Sequence, residues 1–138
     1  MTRLLISFWC LAFAATPTLA EDDTPAGAAR HVIEGQLEAF AHNDADAAYS
    51  YAAPEIQAMF PDSLEFLAMV AHRYPAVYRH KRVEFGDAAE TDGHIAESVL
   101  FTDGDDRLWQ AIYKLEKGPD GQWLISGCVV SESAQTGL

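Results

Sequence analysis

Glu97 is the residue of this chain best placed to do chemistry. It stands in Ile95-Ala-Glu-Ser-Val-Leu-Phe101, where Ile95, Val99 and Phe101 share its phase, so an otherwise apolar row holds one carboxylate. Enclosed, that group would have its pKa raised and would be poised as a general base, with Tyr113 as a hydrogen-bond donor. On a solvent face it is an ordinary surface acid. Period-two alternation does not fix the inward face, so the surface reading is the simpler one.

The stretch His72-Arg-Tyr-Pro-Ala-Val-Tyr-Arg-His-Lys-Arg82 gathers Arg73, Arg79, Lys81 and Arg82 in a chain with only nine Lys and Arg residues. Arg79 and Arg82 are candidates for receiving the carboxylate or phosphate of an anionic ligand. Pairing with the chain's own Asp and Glu needs no ligand and is the more economical reading. Trp109 and Tyr113, with Tyr49, Tyr51, Tyr74, Tyr78 and Trp123, are candidates for lining an apolar pocket, although such residues are more often core with bonded polar tips. The five histidines lack metal-ligand spacing, and no CxxC or HExxH occurs. Asp103-Gly-Asp-Asp-Arg-Leu-Trp109 departs from a calcium loop after its third position and reads as a polar hairpin turn. No metal and no cofactor is expected. GxSxG, P-loop and dinucleotide fingerprints are missing from the sequence.

The elements that would position these residues fall into two halves. Thr24 caps a helix with Pro25 at its first position, and an apolar stripe of Ile33, Leu37, Phe40 and Ala41 carries it to His42. Gly35, mid-helix at a cost of about 1 kcal/mol against Ala, reads either as close approach to a neighbouring element or as drift. Asn43 suits a left-handed exit and Asp44 the next cap, opening a helix over Ala45–Ala52. Pro54 and Pro61 bracket a short helix, Glu55–Phe60. Asp62 with Glu65 resembles a capping box for Ser63–Arg73, whose apolar content predicts a well-buried helix. After Pro75 the period changes, and four strands follow: Arg82–Ala89, His94–Thr102, Leu108–Glu116 and Gln122–Val130. Asp92-Gly93, Asp103–Asp106 and Pro119-Asp-Gly121 separate them. Helices followed by strands is the α+β pattern, here a curved four-stranded antiparallel meander covered on one face by the first and fourth helices. Trp109, Ala111, Tyr113 and Leu115 share one face of the third strand. Trp123, Ile125 and Gly127 share one face of the fourth, which puts Cys128 on the reverse face.

Residues 1–20 read as a cleaved secretory signal: Arg3, an apolar run from Leu4 to Ala15, and Thr18-Leu19-Ala20 before Glu21. The run is shorter than the roughly 20 residues that span a bilayer, so no stable membrane anchor is expected. Residues 21–130 then form one domain, residues 131–138 a loose tail, and the location is periplasmic or secreted. With a formal net charge of −12, the surface repels nucleic acid. Only Cys128 follows the signal, and a free cysteine in an oxidising compartment is expected to be shielded.

Val32-Ile33, Gln36-Leu37, Ala39-Phe40, Ala48-Tyr49, Phe66, Met69-Val70, Tyr74-Pro75 and the ending Pro119-Asp-Gly-Gln-Trp-Leu-Ile-Ser-Gly-Cys128 resemble a bacterial family, domain of unknown function 4864. The family has no assigned activity, so the resemblance transfers no functional residue. The order of elements is also similar to the nuclear transport factor 2-like and ketosteroid-isomerase-like class, in which a cone-shaped sheet wraps a helix. That likeness implies a pocket and does not choose among isomerases, dehydratases, ligand binders and association modules. The leading expectation is a non-catalytic ligand-binding or accessory module for a small apolar or anionic molecule. A general acid–base enzyme using Glu97 and Tyr113 is the alternative, and a homodimerisation module is the third.

Overall fold

Thr24 opens the first helix as its cap. Its side chain accepts the Gly27 N–H at 3.0 Å, and Pro25 stands where no N–H is needed. The computed structural model describes residues 24–133, so the expected signal peptide and residues 134–138 of the expected tail lie outside the described residues. Helix α1 (Pro25–Ala41) buries Ile33, Leu37 and Phe40 along one stripe. It ends at Asn43, whose φ of 53° gives the left-handed exit. Asp44 accepts the Ala47 N–H and starts α2 (Ala45–Ser50), shorter than the expected Ala45–Ala52 because Tyr51–Ala53 turns away to meet the sheet.

Helix α3 (Pro54–Gln57) is also shorter than Glu55–Phe60, the chain passing into turn before Pro61. Asp62 accepts the Glu65 N–H at 2.9 Å and opens α4 (Ser63–Arg73), the span the sequence predicts. The expectation that α4 is well buried is corrected. Only Phe66 and Val70 are buried, and Leu64 is 69% exposed. The reason is layering: α4 packs chiefly on α2 and on a fifth helix, α5 (Pro75–Tyr78), so one stripe suffices. The fifth helix is absent from the sequence reading; four residues carry too short a pattern to register a period.

The strands β1 (Arg82–Thr91), β2 (His94–Thr102), β3 (Leu108–Lys117) and β4 (Trp123–Glu132) form one antiparallel sheet in chain order, so the α+β meander is as expected. Asp92 (φ 51°) and Gly93 (φ 78°) make a two-residue turn with both central residues left-handed, which matches strand twist. Strand β4 runs to Glu132, two residues beyond the expected end of the domain. Helix α1 lies across β1, β2 and β4, with α5 on β2 and α3 on β4. The first helix therefore covers the sheet as expected, while α3 and α5 take the place expected of the fourth.

Two bulges bend the sheet. One occupies β1 between Phe85 and Ala88 and the other β4 opposite Lys114–Leu115. The second inserts Ser126, since Leu115 pairs with Ile125 but Lys114 pairs with Gly127. A one-residue insertion reverses the facing of everything after it. Cys128, expected on the reverse face, therefore shares the helix-covered face with Ile125, and Gly127 does not. The same stretch anchors the helical half: Ala53 N–H donates to Ile125 O at 2.8 Å, and Ile125 N–H to Tyr51 O at 2.9 Å. Gly35 serves the close approach its position suggests, since a Cβ there would lie 2.5 Å from the Tyr51 ring.

Candidate functional site

The helix-covered face of β2 carries Ile95, Glu97, Val99 and Phe101, each 0–1% exposed, so Glu97 belongs to the enclosed face and the simpler surface reading is corrected. The physical reason is that α1 crosses β1 and β2 on that side. On β3, Ala111, Tyr113 and Leu115 are buried as the alternation predicts, with Trp109 half-buried at the sheet's end. Register then places three reactive side chains in one row across three strands: Glu97 pairs with Tyr113, and Tyr113 pairs with Cys128. Direct partners on one face have Cβ atoms about 5 Å apart.

The row does not open into one space. Tyr113 and Cys128 form the wall of a cavity of ≈ 290 Å³ between the β3–β4 end of the sheet and the helices. Its other walls are apolar: Phe40 from α1, Ile56 from α3, Phe60 from the turn, and Phe66, Met69 and Val70 from α4. Phe66 stiffens this lining through ring contacts at 6.3, 5.6 and 5.5 Å to Phe40, Tyr49 and Phe60. The helices over the cavity are tied by buried and half-buried polar bonds. Gln36 Nε2 donates to Ala48 O at 3.0 Å, joining α1 to α2, and Gln57 Nε2 donates to Tyr49 O at 2.9 Å. Tyr49 Oη returns a bond to Gln57 O at 2.7 Å.

Tyr113 lines this cavity and is 2% exposed, and its hydroxyl makes no hydrogen bond of good geometry, with only the weak Cys128 thiol beside it. Burial holds its pKa well above the ordinary phenol value, and the adjacent Cys128 raises it further, so it is a neutral phenol at any physiological pH. Burial likewise pushes the Cys128 thiol up to about 12, which makes it a poor nucleophile. Glu97 opens instead into a smaller cavity of ≈ 170 Å³ beside the first turns of α1, and its Oε2 also lacks a partner. Burial raises its pKa, Arg30 opposes the rise and Asp87 adds to it.

The remaining candidates lie elsewhere. Trp109 donates its indole N–H to Asp103 at 2.8 Å. Arg79 is exposed and its guanidinium sits 4.7 Å from the Tyr78 ring centre. Arg82 is exposed at the start of β1, and Lys81 pairs with Asp106 at 2.7 Å. None of these four lines the two cavities just described. Among the described residues no cluster of His, Cys, Asp and Glu has the arrangement to hold a metal ion. Asp103 accepts from the Asp105 and Arg107 N–H groups and from the Arg107 and Trp109 side chains, so the acidic loop is a self-satisfied turn.

Sequence reasoning missed the inward facing of Cys128 and the phenylalanine wall. Gly127 was the available signal for the first, because an isolated glycine within a strand marks a bulge. The phenylalanines lie on three different elements, and nothing local brings them together.

The chain belongs to the family described as Domain of unknown function (DUF4864), whose model matches residues 23–138. No curated protein matches the chain. The family description names no activity, and what the site can do follows from its geometry alone.

Proposed function

We propose that this is an exported ligand-binding module of nuclear transport factor 2-like architecture, holding a small, mostly apolar molecule whose one polar group bonds Tyr113. The reading is carried by the buried Tyr113 hydroxyl, which makes no hydrogen bond of good geometry and has the weak Cys128 thiol beside it, on a residue that lines an apolar cavity. Buried polar groups almost always find a partner, and leaving one unmade costs about 1–3 kcal/mol. A ligand acceptor would complete it. The cavity, at ≈ 290 Å³, stands at the low end of the range of about 300–1,000 Å³ for small-molecule sites, so the ligand is small. A larger groove of ≈ 710 Å³ between α1 and the start of β4 has no unpartnered buried side-chain group in its lining. Export is supported by Arg3, the apolar run to Ala15 and the small-residue site at Ala20.

The acid–base alternative is weaker on geometry. Glu97 and Tyr113 are register partners, but they serve separate cavities, and a substrate in one does not reach both. Self-association has one observation behind it: Ile112 and Val129, paired on the outer sheet face, are 43% and 72% exposed. Two side chains fall far short of the roughly 800 Å² that each partner buries in a stable interface. Binding is therefore the reading kept. A thermal-shift screen of small aromatic and alicyclic alcohols and ketones tests it. Stabilisation that grows with ligand concentration is expected, and a flat response across the set would overturn it.

A further inference from the structure

We propose that the cavity between the first turns of α1 and the β1 bulge is a second binding site, which takes a small alkylammonium ion through Glu97. It is lined by Gly27, Arg30, His31, Glu34, Gly86 and Glu97 and encloses ≈ 170 Å³. Glu97 is 1% exposed, and its Oε2 has no hydrogen-bond partner. A buried carboxylate is expensive unless it is paired and bonded, and although Arg30 supplies an opposite charge nearby, Oε2 is left without a bond. An ammonium N–H donating to the Glu97 carboxylate supplies the bond and adds a positive charge to that of Arg30.

The surrounding charges choose the sign of the ligand. Glu97 and Glu34 line the cavity and Asp87 acts on Glu97 from the bulge, against Arg30 as the cation and His31. An anion would face the Glu97 and Glu34 carboxylates. A metal ion is disfavoured by donor supply: calcium and magnesium want six or more oxygens, and among the described residues no three suitable side chains converge. An ammonium needs only one buried carboxylate and room for its carbon stem. The volume of ≈ 170 Å³ equals about six waters at roughly 30 Å³ each, enough for a few heavy atoms. This inference is independent of the apolar pocket, which lies on the far side of Tyr113.

Ethylammonium chloride titrated into the ¹⁵N-labelled protein tests the site, with ethanol as the neutral probe of equal size. Ethylammonium is expected to shift the Gly27 and Gly86 amide signals saturably and leave Val129, on the opposite sheet face, unmoved. Ethanol is expected to move none of them. Glu97→Gln keeps the shape and removes the charge, and should weaken ethylammonium binding about tenfold or more. Absence of a saturable shift, equal shifts with ethanol, or wild-type affinity in Glu97→Gln would each overturn the proposal. If Glu97→Gln does not fold, the comparison of the two probes on the wild-type protein still decides.

Discussion

Glu97 holds its proton more tightly in the folded chain than in the unfolded one, because burial penalises the carboxylate. The folded state therefore binds more protons across the window above the unfolded value of about 4.3, and stability falls as pH rises through the folded pKa. Glu97→Gln removes this contribution. In chemical denaturation without added ligand, the variant is expected to gain on the wild type as the pH rises above about 4.3 and to be the more stable at neutral pH. A variant less stable at pH 7 would mean that Glu97 is satisfied by the protein itself. Cys128 carries an expectation at the same scale. A thiol pushed up to about 12 has almost no thiolate at neutral pH, so labelling of the native protein should be slow and become rapid only on unfolding. Fast, stoichiometric labelling without denaturant would show that the β4 bulge does not turn this side chain inward.

The β2–β3 connection shows how an element is fixed by one residue. Asp103 accepts four hydrogen bonds, the Trp109 indole being the first cause of its lowered pKa and the Arg107 and Asp105 N–H groups following. A depressed carboxylate pKa stabilises the fold above the unfolded value of about 3.9 and is lost as pH falls through the folded value. Asp103→Asn should lower the Tm by several degrees at pH 7 and change Trp109 fluorescence; an unchanged melting curve would leave the loop held by its backbone alone. Phe66→Ala, in the ring cluster of α4, should cost about 3–5 kcal/mol in denaturant unfolding, and a cost below about 1 kcal/mol would mean that the cavity collapses freely. Caps and turns were legible in the sequence because their chemistry is local: Thr24, Asp44, Asp62 and Asn43 each act within a few residues. The enclosed face of β2 was not legible, since alternation is symmetric until a helix covers one side. The facing of Cys128 was lost for a related reason, one inserted residue at Ser126 that a strict period-two reading passes over.

Over the whole molecule, the helices and sheet leave two unlike cavities on either side of one row of side chains: an apolar one at Tyr113 and Cys128, a charged one at Glu97. Neither was readable before folding, because their walls come from α1, α4 and strands far apart in sequence. The family, by contrast, was readable from the Trp123-Leu-Ile-Ser-Gly-Cys128 ending and the apolar pairs of α1. If export is right, mass spectrometry of the protein from the cell envelope should find a chain beginning at Glu21; an intact Met1 chain in the cytosol would contradict it. The apolar cavity carries the central claim, and the stability of Tyr113→Phe, measured with and without a stabilising alcohol or ketone, tests it most directly. Without ligand, deleting an unsatisfied hydroxyl should leave stability unchanged or raise it by about 1 kcal/mol, while the ligand's stabilising effect falls about tenfold in affinity terms. A variant that is less stable when free, yet binds the same ligand as tightly as the wild type, would show that the hydroxyl serves the core and not a ligand.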